Sequence, residues 1–240
     1  MIVLNDLLKY SNLKIYQDSD NFKFSLDSIL LPNFITIKKD TKTILDIGTG
    51  YAPIPLVLSK FTTAKITGVE IQKEVAALAK KTITYNKLDE QIEIINADIK
   101  DLNLQAEYYD IITCNPPYYK VTSDKYLNEN EAKLISRHEK TLNLNELINI
   151  VSKLLKNNGV FGLVHRPERL VEIIEICHKN RLEIKKLQFV YPKKGKNANI
   201  VLIEAIKNGN SQTTVLEPLF VYENDQYTDQ ISKFFIDRKE

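Results

Sequence analysis

Two cysteines are all that the 240 residues contain. Cys114 and Cys177 fit no zinc-ligand spacing, and two are too few for a disulfide framework, so a cytoplasmic, reducing setting is expected. No run of about 18 apolar residues occurs, which leaves nothing to span a membrane. The stretch from Met1 to Gln17 lacks the basic start and long apolar core of an export signal. Net charge is almost absent: 33 Lys and Arg oppose 31 Asp and Glu, a formal charge of +2. That balance neither requires nor excludes a nucleic-acid partner, and any basic surface must be local. Internal repeats and low-complexity linkers are also missing. The lack of Trp, beside abundant Lys, Ile and Asn, reads as the codon bias of an AT-rich genome rather than as function.

With 43 % hydrophobic and 27 % charged residues, the chain is expected to form a globular domain. Apolar runs alternate with helical patterns. Strands are expected at Thr43–Ile47, Lys65–Glu70, Ile92–Asn96, Tyr109–Cys114 and Val160–His165, with a final antiparallel pair at Leu187–Tyr191 and Ala198–Ile206. Helices are expected at Ile54–Lys60, Glu74–Asn86 and Leu144–Leu155, the last ended by Asn157-Asn158-Gly159, and at Glu168–Lys179 behind Pro167. A helix is also expected over Tyr222–Ile236, packed on the core. Continuous apolar strands between helices imply a mostly parallel α/β sheet covered on both faces. Ligands of such sheets bind beyond the carboxyl ends of the strands.

Four strand ends carry chemistry. Asp46-Ile47-Gly48-Thr49-Gly50 closes the first. Its glycines let the backbone turn sharply and approach a ligand. The pattern is D-x-G-x-G, neither the G-x-G-x-x-G of a dinucleotide fold nor a P-loop. Glu70 closes the second strand, 20 residues beyond Gly50, a spacing at which a carboxylate can accept both hydroxyls of a ribose. A lone strand-end Glu is ordinarily just solvated; behind D-x-G-x-G it reads as a ligand. Asp98, after the third strand, either serves an adenine amino group or is a plain turn aspartate. Asn115-Pro116-Pro117-Tyr118 closes the fourth and is the most specific signal. The prolines fix the backbone and remove two N–H donors. The Asn115 side-chain oxygen and the Pro116 carbonyl can each accept one hydrogen of a planar amino group, and Tyr118 offers a face for a base to stack on.

These four motifs resemble the class I S-adenosylmethionine (SAM)-dependent methyltransferases, in particular the amino-methyltransferases with an N/D-P-P-Y/F/W motif. The resemblance runs from about Phe22 to Ile206. It implies a Rossmann-like seven-stranded sheet of order 3-2-1-4-5-7-6 with strand seven antiparallel, and SAM held by Asp46, Gly48, Gly50, Glu70 and Asp98. The run Phe24-Ser25-Leu26-Asp27-Ser28-Ile29-Leu30-Leu31, the Asn-Pro-Pro-Tyr-Tyr form and Ser136-Arg137-His138-Glu139 are together similar to the bacterial tRNA adenine-N6 methyltransferases that act on the adenosine 3′ of the anticodon, first recognised in a valine tRNA. That family's upstream segment contributes to the SAM pocket, which brings Phe24 and Asp27 into the cofactor site. Asn115, Pro116 and Tyr118 are then the catalytic residues, SAM the cofactor and a tRNA anticodon loop the partner, with no metal and no membrane. Tyr51 departs from the small residue common after the Gly-rich turn. One domain over 1–240 is expected: an extension over 1–40, a catalytic core over 41–207 and a tail over 208–240, acting by default as a monomer.

Arg137-His138-Glu139 reads first as solvated surface and second as an RNA contact. His165 and His178 read as structural or exposed. The Lys-rich loop Pro192-Lys193-Lys194-Gly195-Lys196 either solubilises or grips phosphate together with Lys9, Lys14, Lys120 and Lys125. Asn-Pro-Pro-Tyr also serves enzymes that methylate a release-factor glutamine, which usually carry a longer helical N-terminal domain, and related motifs serve guanine-N2 methyltransferases of ribosomal RNA. A sequence-specific DNA methyltransferase would need a recognition domain for which Ile206 onward leaves no room. A non-catalytic SAM- or RNA-binding module would not need all four motifs intact.

Overall fold

Residues alternate along the strands between two separate cores, so each strand is apolar on both sides. Ile44, Ile66, Ile111 and Val160 enter one core, while Leu45, Ile112, Phe161 and Leu163 enter the other. This is the pattern of a sheet covered twice. The computed structural model describes residues 1–7, 13–18, 26–116 and 142–235.

The chain opens with an antiparallel hairpin, β1 (Ile2–Asp6) and β2 (Lys14–Asp18). Next come α1 (Asp27–Phe34), β3 (Thr43–Ile47), α2 (Pro53–Leu58), β4 (Lys65–Glu70), α3 (Lys73–Tyr85), β5 (Ile92–Asn96) and β6 (Tyr109–Cys114). Beyond residue 142 follow α4 (Leu144–Leu154), β7 (Leu155–His165), α5 (Leu170–Lys179), β8 (Leu182–Lys193) and β9 (Ile200–Lys207). Across the sheet the order is β5-β4-β3-β6-β7-β9-β8. That is the expected 3-2-1-4-5-7-6, and β9 is antiparallel to both of its neighbours. The hairpin and α1 to α3 cover one face; α4 and α5 cover the other.

Three short strands extend the sheet beyond β8: β10 (Thr214–Val215), β11 (Leu219–Glu223) and β12 (Gln226–Tyr227). The helix expected over Tyr222–Ile236 is therefore corrected. Leu219 and Val221 are buried on alternate positions, and Asn224 and Asp225 both take positive φ, as a two-residue hairpin turn requires. Among the described residues of that stretch only the four-residue α6 (Asp229–Ser232), capped by the Thr228 hydroxyl, is α-helical, with a 3-10 turn at Lys233–Phe235 behind it. A second correction concerns the end of α4. It stops at Leu154, and Leu155 turns straight into β7 because its fully buried side chain is needed in the sheet beside Tyr109. Asn157-Asn158-Gly159 instead form a bulge inside β7, with the left-handed conformation at Asn158. The start of α4 is a capping box: Asn143 Oδ1 accepts from Glu146 N, and Asn143 N donates to the Glu146 carboxylate.

Two contacts fix the elements nearest the strand ends. The outer edge of β2 bonds to side chains of α3 and its C-cap: Asn86 accepts from Lys14 N at 3.0 Å and donates to Lys14 O at 2.7 Å, and Thr82 accepts from Tyr16 N at 3.0 Å. Helix α1 has eight residues, all buried except Asn33, so packing rather than intrinsic propensity holds it helical. It lies so close to β7 that a Cβ at Gly162 would come within 2.5 Å of Ile35. Gly162→Ala is expected to cost about 1–3 kcal/mol of stability through overpacking. Thermal melting checks this, and an unchanged midpoint would show that α1 can shift freely.

Candidate active site

The turn after β3 is built from alternating left-handed residues: Gly48 at φ 69°, Gly50 at 56° and Ala52 at 69°. The amides of Gly48 and Thr49 both donate to Val69 O, at 2.9 and 3.0 Å, tying the turn to β4. A Cβ at Gly48 or Gly50 would meet nothing within 4 Å. Positive φ, not crowding, demands glycine there, and the backbone faces open space that a ligand can enter.

Asp46 stands at the root of this turn, 1 % exposed. The Thr113 hydroxyl donates to its Oδ1 at 2.7 Å. Its Oδ2 has no hydrogen-bond partner among the described residues, nor does the buried Thr49 hydroxyl. Burial pushes the Asp46 carboxyl up to about 7; Thr113, and Thr49 close by though outside bonding geometry, oppose that rise without cancelling it. A buried carboxylate oxygen with no donor beside an open glycine turn fits a ligand that brings positive charge, as the sulfonium and ammonium of SAM do.

Glu70 is also buried, and it links two turns: Oε2 accepts from Gly50 N at 3.0 Å and Oε1 from Gln72 N at 2.9 Å. Oε1 also accepts from Gln72 Nε2 at 3.4 Å, so Oε2 is the oxygen that keeps a second lone pair for a ribose hydroxyl. Asp98 is half-buried; its Oδ1 accepts from Lys100 N at 3.0 Å, and the Lys100 ammonium stands 3.7 Å from Oδ2. It thus forms the turn that the plainer sequence reading expects, at the strand end the ligand reading also requires. Tyr51 is buried and its hydroxyl takes a hydrogen bond from the Asp18 backbone, so the bulk that sets it apart anchors the Gly-rich turn to the N-terminal hairpin.

Asn115 follows β6 on the side of the sheet that α1 covers. Its Nδ2 donates to Ser28 Oγ at 2.9 Å. Pro116 follows, half-buried. Asp27 and Ser28, the first two residues of α1, are both buried. Thus Asp46, Gly48, Gly50, Glu70, Asp98, Asn115 and Pro116 all lie at the carboxyl ends of β3 to β6, and Ser28, next to Asp27 at the start of α1, meets Asn115 there. Phe24, Pro117, Tyr118, Lys9, Lys120, Lys125 and Ser136-Arg137-His138-Glu139 lie outside the described residues. Ser28 and Thr113 were not singled out from sequence. Thr113 had one legible signal, its position two residues before Asn115 on the same strand face.

Other titratable groups serve the scaffold. Burial lowers His165 to about 4, helped by Arg169, and its Nδ1 accepts from Arg166 N at 2.8 Å. His178 pairs with Glu183 at 2.9 Å. Both cysteines are free and buried; burial pushes Cys177 up to about 12 and Cys114 well above its usual range. A cavity of about 690 Å³ opens at the opposite ends of β4 and β5, between Lys65, Asp89 and Ile92, and none of the expected site residues lines it. Among the described residues no three His, Cys, Asp or Glu side chains stand where they can share a metal ion.

Residues 26–174 match the family described as Methyltransferase small domain. The chain belongs to this family. It is a class I SAM-dependent methyltransferase. The methyltransferase is 30 % identical over 196 residues to the tRNA1(Val) (adenine(37)-N6)-methyltransferase of Tolumonas auensis, covering 81 % of this chain and 80 % of that one. It is 28 % identical over 199 residues to the protein of that name from Cytophaga hutchinsonii, covering 82 % of each. Among solved structures, a predicted O-methyltransferase of Agrobacterium tumefaciens superposes with a TM-score of 0.69 at 20 % identity, over 88 % of this chain and 96 % of that one. Geranyl diphosphate C-methyltransferase of Streptomyces coelicolor, in complex with S-adenosyl-L-homocysteine, superposes at 0.58 and 13 % identity, over 75 % and 76 %. These two likenesses speak for the fold.

Proposed function

We propose that this methyltransferase methylates N6 of an adenosine in tRNA, at position 37 beside the anticodon, as its relatives' names describe. The observation that carries the reading is the Asn115 side chain, held by Ser28 at the end of β6 with its nitrogen turned toward α1. The amide oxygen is the end of that side chain whose chemistry lets it accept from an amino group.

SAM supplies a methyl group already activated on a sulfonium, so the protein's task is to position the acceptor. Gly48, Gly50, Asp46, Glu70 and Asp98 hold the cofactor, with Phe24 and Asp27 completing its pocket. Asn115 Oδ1 and the Pro116 carbonyl each accept one N–H of the adenine amino group. Held so, the nitrogen lone pair is drawn out of ring conjugation and aimed at the methyl. Orientation of this kind contributes up to about 7–11 kcal/mol of barrier lowering. Tyr118 stacks on the base once it leaves the loop, worth about 1–3 kcal/mol. The proton leaves after transfer, so no strong general base is required. The reaction belongs in the cytoplasm, in keeping with two free, buried thiols, and one copy of the chain carries the whole site.

The RNA backbone has a place to lie. Strand β8 runs in the same direction as β7, so the tip after it reaches the edge of the sheet that carries Asn115. Lys193, Lys194 and Lys196 are exposed on that tip, and Arg166 donates to Asn199 O at 3.0 Å, fastening it to the end of β7. Replacing the three lysines with alanine is expected to weaken tRNA binding about tenfold or more near 0.1 M salt and to flatten its salt dependence. SAM affinity should be unchanged. Undiminished tRNA binding over a salt titration would remove this tip from the interface.

The function itself is tested with labelled SAM and unmodified tRNA, followed by nucleoside mass spectrometry. The expected product is 6-methyladenosine in the anticodon loop. Label absent from RNA but present on a release-factor glutamine would overturn the substrate.

A further inference from the structure

A glycine inside a strand weakens it unless something else needs the space. Gly68 of β4 pairs with Asp46 of β3, and Asp46 pairs on its other side with Thr113 of β6. The three form one row across the centre of the sheet, on one face. Thr113 donates to Asp46 Oδ1 at 2.7 Å. On the other side of Asp46, the place a side chain at Gly68 would take is filled by Thr49 and the tip of Ile94. A Cβ there would lie 2.9 Å from both Oγ1 and Cγ2 of Thr49 and 2.8 Å from Ile94 Cδ1. Thr49 is held in this slot by its backbone: its amide donates to Val69 O at 3.0 Å, and its carbonyl accepts from Ala52 N at 2.9 Å. The Thr49 hydroxyl and Asp46 Oδ2 are both buried, and neither has a hydrogen-bond partner among the described residues. A carboxylate oxygen only accepts, so toward it a hydroxyl can only donate. Leaving such groups unmet costs about 1–3 kcal/mol each. At 3 % exposure Thr49 offers its hydroxyl to no ligand.

We propose that Thr49 is a positioning residue of the cofactor site: its hydroxyl closes on Asp46 Oδ2 when the carboxyl is charged, so that Thr113 and Thr49 clamp the carboxylate from its two ends. The inference rests on the reading of Asp46 as the counter-charge to SAM. Loss of the Asp46 proton to solvent makes Oδ2 the stronger acceptor, and the bond that follows favours the charged form. The titratable neighbours give no such help. Glu70 on β4 opposes the charge, and the Cys114 thiol on β6 is held well above its usual range, by burial first and by Asp46 second, and stays neutral. Thr49 acts through Asp46 and touches neither cofactor nor substrate.

The test follows SAM affinity by calorimetry from pH 5 to 9 in wild type, Thr49→Val and Thr49→Ser, with melting temperature alongside. Valine keeps the shape and removes the donor; serine keeps the donor. With valine, the pH at which affinity levels off is expected to move up by about one unit, the scale of one hydrogen bond to a charged group. Affinity near pH 7 should then fall about fivefold, and the deficit should close toward pH 9 as the carboxyl charges without help. Serine should follow wild type. Thr49→Ala carries the same comparison should the valine variant fail to fold. A hydroxyl-free variant whose profile overlays wild type, or lies below it by the same factor at every pH, would overturn the proposal. Wild-type affinity with no rise between pH 5 and 7 would overturn the reading of Asp46 and this inference with it, an outcome visible without any variant.

Discussion

Asn115→Ala is expected to lower kcat by at least about a hundredfold, the scale seen when a preorganised polar group is removed from a reacting centre, while SAM affinity changes by less than about twofold. The geometry supports this division. The groups proposed to hold the cofactor at β3, β4 and the turns behind them have partners other than Asn115: Glu70 is held by Gly50 and Gln72, Asp46 by Thr113 on β6, and Gly48 and Thr49 by Val69. Asn115 is anchored separately, by Ser28. Truncating it removes the acceptor for the substrate N–H and leaves every one of those cofactor-side bonds in place. The lost Ser28 contact costs about 1 kcal/mol of stability, too little to unfold the domain. Single-turnover rates at saturating SAM, set beside calorimetric SAM binding, separate the two quantities. A fall in SAM affinity as large as the fall in rate would show that Asn115 belongs to the cofactor site.

The parts of this design that read from sequence were those carried by a local signal. Each strand from β3 to β6 is a mostly apolar run of five or six residues, and Asp46, Glu70, Asp98 and Asn115 stand at or just past the ends of these runs, so topology alone brings them to one edge. What did not read was set by partners distant in the chain. β2 is only five residues long and its outer edge is satisfied by Thr82 and Asn86, 66 and 72 residues away. Alternate burial of Ile15 and Gln17 is too brief to announce a strand. The end of α4 was misplaced because Gly159 imitates a helix stop, while the demand that decides the matter, the buried place of Leu155 beside Tyr109, comes from a neighbouring strand. Ser28 and Thr113 are ordinary hydroxyls by sequence. Their roles arise from contacts 87 and 67 residues long, and no spacing rule reaches that far.

Asp46→Asn is expected to raise the melting temperature of the cofactor-free protein by about 5 °C at pH 8 and to weaken SAM binding there. Both effects come from one buried carboxyl. Its folded value of about 7 lies above the roughly 3.9 of an unfolded aspartate. Between those values the folded protein binds a proton that the unfolded chain does not, so stability falls as pH rises through that window and levels off above it. Asparagine resembles the protonated carboxyl: its oxygen can still accept from Thr113, and its NH2 can donate to the Thr49 hydroxyl, which has no hydrogen-bond partner among the described residues. The variant should therefore lose that slope and converge with wild type near pH 4. Binding runs the other way. A cationic ligand favours the charged carboxylate, so wild-type SAM affinity should climb as pH rises toward about 7 and level off above it, and binding near pH 6 should release a proton. The variant should bind more weakly, with that component of the pH dependence gone. Melting curves from pH 4 to 8, and calorimetry in two buffers of different ionisation enthalpy, measure both halves. If wild type and Asp46→Asn show the same pH dependence of SAM binding, the carboxylate plays no part in holding the cofactor's charge, and the open oxygen beside Gly48 must answer to something else.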